Sequence, residues 1–137
     1  MMVTPLNMKH EGPFLLKLLV LALLIFSLYS LAFPLHPGRD FGGYLEHFYG
    51  KVAANTLFRP VGASYLLGMI SNLPLLLAEV AFLLMYLCHI FMVYITSRIF
   101  GVQVARIVTL LMLFDFSVLA IFHRLDGYAA FCLASLS

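Results

Sequence analysis

The chain has 137 residues, of which 64% are hydrophobic and 10% are charged, whereas an ordinary soluble domain has about 45 to 50% apolar and about 25% charged residues. A soluble fold of this length cannot hide that much apolar surface, so the composition predicts an integral membrane protein with the lipid bilayer as its main partner. The net charge of +2 comes without a basic stripe that would neutralise phosphates, which argues against nucleic acid as a partner.

The first apolar run, residues 14–33, follows a short polar head and ends at Pro34. A secretory signal peptide would have an apolar core of about 7 to 15 residues followed by a small-residue cleavage site. This run is longer and no such site follows, so we predict a retained first transmembrane helix.

The loop at 34–72 collects prolines, glycines and charges outside the apolar runs. Apolar residues recur at helical spacing from Phe41 to Val52, which predicts a short amphipathic helix lying in the membrane interface. A second apolar segment, residues 61–70, follows Pro60 and is too short to span, so we expect it to lie flat or to dip in partially.

Two longer runs follow. Residues 73–100 open with Pro74 and close at Arg98 and Gly101, which are helix start and stop signals. Residues 102–122 predict a third span, and a fourth run from Tyr128 has only ten residues before Ser137. The predicted fold class is an all-α membrane protein with three full transmembrane helices, a truncated fourth, and two short interfacial helices in the loop 34–72. We therefore expect the chain to be the N-terminal part of a longer protein, with the missing C-terminal helices as partners.

Positive charges divide equally between the two sides of this topology. One group, in the head and in the turn between the second and third spans, comprises Lys9, Lys17, Arg98 and Arg106. The group on the other side comprises Arg39, Lys51, Arg59 and Arg124. The first group lies closer to helix ends, which favours a cytoplasmic N-terminus and an outward-facing loop 34–72. We expect the membrane itself to be the plasma (inner) membrane.

Polar residues inside the spans have two interpretations. Glu79, Tyr86 and His89 fall along one side of the second span. They would either contact substrate or relay protons, or they would form hydrogen bonds with neighbouring helices, and we favour the second interpretation. Asp115 lies 11 residues before Asp126, about 16 Å along a continuous helix, which is too far for one acid/base pair. We predict that Asp115 is a structural residue of the bundle interior.

Asp40 and Asp126 both stand at span boundaries, and counting three alternating spans places both on the same side. Each carboxylate could simply cap the helix that follows it. Alternatively, the two could supply a general base, hold a divalent cation, or both. Histidines on that side, such as His36 and His123, lack ligand spacing, so no metal site is predicted from them.

The order of short motifs resembles the N-terminal part of a polytopic glycosyltransferase of the GT-C fold, in the protein-mannosyltransferase-like group that uses lipid-phosphate-linked sugars. The resemblance covers nearly the whole chain. It rests on Arg39-Asp40 before an amphipathic helix with Tyr44-Leu45, then on four later motifs: Leu57 to Val61, Leu76 to Val80, Arg98 to Gly101, and Phe122-His123-x-x-Asp126.

The resemblance implies that Asp40 is the general base on an acceptor hydroxyl and that Asp126 positions the acceptor or a metal. Relatives often carry two adjacent acids where Phe41 follows Asp40 here, so a divalent metal is left open as a cofactor. On chemical grounds rather than by motif, the substrate-binding candidates are four: Arg39, Arg59, His123 and Tyr44, with the guanidinium groups suited to donor phosphate.

The function expected from this resemblance is transfer of a sugar from a polyprenyl-phosphate donor to a hydroxyl of a glycan, lipid or protein acceptor at the outer membrane face. The longer protein would be the enzyme, and residues 1–137 alone would be inactive. The alternatives are a piece of a multi-pass transporter, which would use Glu79, His89 and Asp115, and a small non-catalytic membrane subunit.

Overall fold

The computed structural model describes residues 8–51 and 61–126. The described chain is mostly helical, so the predicted all-α class is confirmed, with one pair of two-residue strands that the sequence did not predict. The elements in chain order are α1 (Met8–Ala32), β1 (His36–Pro37), α2 (Phe41–Phe48), α3 (Val61–Ser71), α4 (Leu75–Ser97), a 3₁₀ turn (Arg98–Phe100), α5 (Val102–Leu113), α6 (Phe116–Ile121) and β2 (Arg124–Leu125).

Local sequence signals account for the ends of the two long helices. α1 stops at Ala32, because the residue before a proline, here Phe33, is disfavoured in helical conformation. α4 starts directly after Pro74, and its C-terminal turn closes at Gly101, whose φ of 109° is a conformation that favours glycine. The prediction of a helix from Pro74 to the Arg98–Gly101 turn is thus confirmed.

Two stretches are long and apolar enough to cross a membrane, His10–Ala32 and Leu75–Phe100. The core helix of a soluble protein would be mostly buried, whereas only 17% of an 18-residue apolar window in the first stretch and 33% of one in the second are buried within the described part of the chain. Large side chains such as Leu31 and Leu76 face outward, which suits lipid contact better than water. These two helices support the membrane assignment.

The continuous third span predicted over 102–122 is not observed. α5 ends at Leu113, and α6 restarts after Asp115, whose carboxylate accepts a hydrogen bond from the Ser117 backbone N–H at 2.8 Å. Because Ser117 N–H is used in this way, the Leu113 carbonyl lacks its usual helical donor, and the Tyr86 hydroxyl donates to it instead at 3.3 Å. Asp115 is therefore an exposed helix cap, and its assignment to the bundle interior was wrong.

The helices pack as an antiparallel set. Glu11 near the start of α1 contacts Arg98 just after α4, whereas Leu35 just after α1 contacts Glu79 in the second turn of α4. α5 runs back along α4, and the apolar core lies between α1, α4, the end of α5 and α6: Leu18, Ala22, Phe26, Phe82, Tyr86, Ile90, Leu113, Leu119 and Phe122. The three sections of chain thus return to the level at which α1 ended.

α2 and α3 form a separate pair of short helices. Phe48 lies against Gly68 so closely that a Cβ on Gly68 would overlap its ring, and the Ser64 hydroxyl is 3.1 Å from His47 Nδ1. α3 matches the predicted segment 61–70. α2 ends at Phe48, before the predicted limit at Val52, which lies outside the described residues together with the whole run from Tyr128.

Candidate functional site

A cavity of about 480 Å³ lies where the chain leaves α1 and where it leaves α6. Its lining combines two carboxylates, two guanidinium groups and one apolar side chain: Asp40, Asp126, Arg39, Arg124 and Ile121. Asp40 and Asp126 are 86 positions apart in the sequence. The expectation that both aspartates emerge at the same end of the bundle is confirmed.

The short strands hold the two sides of the cavity together. β1 pairs in parallel with β2, with His36 opposite Arg124 and Pro37 opposite Leu125. The backbone N–H of His36 donates to the His123 carbonyl, and that of Gly38 donates to the Leu125 carbonyl, both at 3.1 Å. Because Asp126 directly follows Leu125, this pairing brings its carboxylate against the chain just before Asp40.

Asp126 is the more enclosed of the two carboxylates, with 2% of its surface exposed. Its Oδ2 is 3.3 Å from Nε of Arg124, whose side chain is 40% exposed. On the other side lies Gly38, where an added Cβ would stand 2.6 Å from Asp126 Cβ, well inside van der Waals contact. The absence of a side chain at Gly38 is therefore what makes room for Asp126.

Asp40 stands at the N-cap position of α2 and is partly exposed, but within the described chain its side chain makes no capping hydrogen bond. Only its backbone carbonyl joins the helix, by accepting from the Tyr44 N–H at 3.3 Å. A capping role alone therefore does not explain Asp40, and the residue lines the cavity instead.

The substrate-binding candidates differ in their surroundings, and one of them is outside the described residues. Arg39 is exposed and lines the cavity with Asp40. Tyr44, in the first turn of α2, is partly buried and packs against the apolar core. Arg59 lies outside the described residues.

His123 is buried, with 1% of its surface exposed, and does not line the cavity. Its Nδ1 is 2.8 Å from the Leu119 carbonyl oxygen, and its Nε2 is 2.8 Å from the Ser30 hydroxyl. A carbonyl can only accept, so Nδ1 carries the proton and Nε2 accepts from Ser30. With both nitrogens engaged inside the protein, the geometry does not present His123 to a donor phosphate.

Two residues of the site were not singled out from the sequence. Arg124 was counted only as an outward charge, although its position two residues before Asp126 places both on one short segment. Gly38 was one glycine among several in a loop. Its importance depends on the approach of Asp126, which no local pattern encodes.

Other polar residues of the spans have local partners. The Glu79 carboxylate accepts from the Leu35 backbone N–H at 3.5 Å, close to the loop. His89 is buried against the ring of Phe122 at 5.4 Å between ring centres. Both side chains contact neighbouring parts of the bundle, which is the environment expected of residues that join helices.

At the opposite end of the bundle, Arg98 donates to Glu11 at 3.0 Å, with both side chains about 95% buried. The Tyr94 hydroxyl donates to the other oxygen of Glu11. The sequence gave no reason to pair Arg98 with Glu11, which lies in the short polar head before the first apolar run, so this buried ion pair was not predicted.

Chemically, the cavity can neutralise a phosphate through its guanidinium groups and can accept a proton or orient a hydroxyl through its carboxylates. Among residues 8–51 and 61–126, there is no group of three or more His, Cys, Asp or Glu side chains that could hold a metal ion. Comparison of the chain with protein-family models, with curated proteins and with solved structures gave no match.

Proposed function

We propose that this chain forms the acceptor-activating part of a membrane glycosyltransferase of the GT-C type, which transfers a sugar from a polyprenyl-phosphate donor to an acceptor hydroxyl. The observation that supports the proposal is the shared cavity of Asp40 and Asp126, each next to an arginine in the sequence or in space. The proposal also includes the finer topology: several spans in the plasma membrane, a cytoplasmic N-terminus, and the cavity at the outer face.

In the proposed reaction, the acceptor hydroxyl oxygen attacks the anomeric carbon of the sugar and forms the new glycosidic bond. The bond between that carbon and the phosphate oxygen breaks, and the polyprenyl phosphate leaves with the bonding electrons. The hydroxyl proton passes to the carboxylate of Asp40, which is partly exposed in the cavity and so is accessible to an acceptor from outside.

The surroundings of the other charged residues suit them to different roles in the proposed reaction. Arg39 is exposed and Arg124 is part-exposed, so both can reach a phosphate that enters the cavity. Asp126 is enclosed and held by Arg124 and Gly38, which suits a group that orients the acceptor rather than one that exchanges protons with water.

A lipid-linked donor explains why such a cavity would lie at a membrane interface. The polyprenyl chain keeps the sugar phosphate in the headgroup layer, and the cavity lies at the ends of α1 and α6, beyond the apolar stretch His10–Ala32. The donor phosphate and the two arginines would therefore meet at the same depth.

The test is Asp40→Asn in the complete product of the gene, assayed in membranes with a panel of radiolabelled polyprenyl-phosphate hexoses and pentoses. We expect transfer to fall at least about 100-fold, since general-base catalysis typically contributes 10²- to 10⁴-fold, while abundance in the membrane is unchanged.

Asp115→Asn is the matched control, because Asp115 is an exposed cap outside the cavity and asparagine caps helices about as well as aspartate. Its transfer rate should stay at the wild-type level. Wild-type transfer by the Asp40→Asn protein would refute the role of Asp40, and absence of transfer from every donor by the wild-type protein would refute the proposed function.

A further inference from the structure

The two aspartates reach one cavity only if the segment after α6 is held at a fixed height beside the loop after α1. His123 is the residue at which this segment is attached to the bundle. Its backbone carbonyl accepts from His36 N–H, so the same residue belongs to the pairing that closes the cavity.

The side chain of His123 is attached to two further elements. Nδ1–H donates to the Leu119 carbonyl in α6, and Nε2 accepts from the Ser30 hydroxyl in α1. The ring also packs between two aromatic rings of α1, with centroids 4.3 Å from Phe26 and 4.6 Å from Tyr29. The imidazole thus joins α1 to α6, and the backbone carbonyl of the same residue joins them to β1.

Only two residues lie between His123 and Asp126, and this short segment has little freedom. Arg124 and Leu125 are fixed as β2 by their pairing with β1, and Asp126 is confined between Arg124 and Gly38. A displacement of His123 relative to α1 would therefore be passed to Asp126 through a short, paired segment.

We propose that His123 is a positioning residue of the cavity: through its hydrogen bond with Ser30 it fixes the segment carrying Arg124 and Asp126 opposite Arg39 and Asp40. This role rests on the proposed function only for its effect on sugar transfer. Its effect on the distance between the two sides of the cavity is independent of any activity.

The test removes the Ser30 hydroxyl, since truncating His123 itself would leave a hole in the core. Ser30→Ala deletes the partner of Nε2 and keeps α1 helical, because alanine is the best helix former. Ser30→Thr retains a hydroxyl and is the conservative variant. Ser27→Ala removes an exposed hydroxyl one turn earlier on the same helix and is the matched control.

The first measurement is a distance distribution by double electron–electron resonance in the full chain, reconstituted in lipid nanodiscs. Spin labels are placed at Glu46→Cys on α2 and Ser117→Cys on α6, both exposed, with Cys88 and Cys132 replaced by serine. We expect Ser30→Ala to shift or broaden the distribution, whereas Ser30→Thr and Ser27→Ala should reproduce that of the parent protein.

The second measurement is steady-state transfer by the complete gene product, using the polyprenyl-phosphate sugar on which the wild-type protein is active. Misplacement of a positioned group by about 1 Å can cost roughly 100-fold. We expect kcat of Ser30→Ala to fall between about 10- and 100-fold, with less than about a threefold change in the KM for the donor, and recovery in Ser30→Thr.

An unchanged distance distribution in Ser30→Ala would overturn the positioning role, even if Asp40→Asn abolishes transfer. Loss of folded protein without a change of distance or kcat in the remaining fraction would also overturn it, because a hydrogen bond that only stabilises the bundle behaves in that way. If the wild-type protein transfers no sugar, the proposed function fails, and the distance measurement still decides the positioning role.

Discussion

The two ends of the α1–α4 pair both bring an acidic residue next to an arginine, yet they differ in what surrounds these charges. Glu11 and Arg98 are both about 95% buried and bind each other at 3.0 Å. Asp126 is equally buried, but its partner Arg124 is 40% exposed and both line a cavity of about 480 Å³. An ion pair closed on both sides joins helices, whereas one with an open side can also bind a ligand.

The environments explain this difference. Glu11 accepts from Tyr94 as well as from Arg98, so the carboxylate has partners on both oxygens within the bundle. At the other end, α6 stops at Ile121 and the chain turns into β2, which leaves space between two loops instead of a third packed helix. The end of the bundle where the chain leaves its helices for loops is the end with room for a ligand.

The largest expected effect tests the closed end. Arg98→Met would leave the Glu11 carboxylate buried without its cation, and removing one partner of a buried pair typically costs about 3 to 5 kcal/mol. We expect the free energy of unfolding, measured by denaturant titration in detergent micelles, to fall by that amount.

Lys17→Met serves as the control for Arg98→Met, since Lys17 is an exposed cation on α1 and should change the free energy of unfolding by less than about 0.5 kcal/mol. The double variant Glu11→Gln/Arg98→Met should recover much of the loss, because it removes both charges. Equal stability of Arg98→Met and wild type would show that the pair does not join the helices.

A second, intermediate effect tests the open end. In Gly38→Ala the new Cβ would meet Asp126 at 2.6 Å, so the carboxylate has to move away from residue 38. We expect transfer to fall about 100-fold from the displacement of Asp126, with an overpacking cost of about 1 to 3 kcal/mol in the free energy of unfolding.

Gly42→Ala is the control for Gly38→Ala, because a Cβ on Gly42 would meet nothing within 4 Å. It lies in α2, where alanine in place of glycine should raise stability slightly and leave transfer unchanged. Wild-type transfer by Gly38→Ala would mean that Asp126 does not need its observed position.

The smallest effect is a pH dependence of stability at the open end. Burial lowers the pKa of His123 below its ordinary value, against an opposing contribution from its hydrogen bond to Leu119 and from Glu79. The unfolded chain therefore binds a proton more readily, so the stabilisation is complete above about pH 6.5 and is lost as the pH falls towards the lower pKa of the folded state.

This component should be missing in His123→Asn, which cannot titrate. The measurement compares the free energies of unfolding of the two proteins in steps from pH 7.5 to pH 5, and their difference should shrink as the pH falls. A constant difference between wild type and His123→Asn over this range would contradict the prediction.

The sequence predicted those features that depend on neighbouring residues. Apolar runs and their breakers located α1, α3 and α4, because a proline or a glycine acts on the backbone within one turn. Counting spans also placed Asp40 and Asp126 at the same end. That placement holds although the third section is broken at Asp115, because the segment after α6 still pairs with the segment after α1.

The tertiary structure decided what each polar group contacts. Ser30 and His123 are 93 positions apart, and Glu11 and Arg98 are 87 apart, so no periodicity or spacing could pair them. Whether Asp115 faced the bundle, whether Asp40 was only a cap, and whether His123 was open to a phosphate all depended on which side chains folding brought together. Local patterns fix where helices start and stop, but packing between distant segments fixes which charges are closed off and which remain beside a cavity.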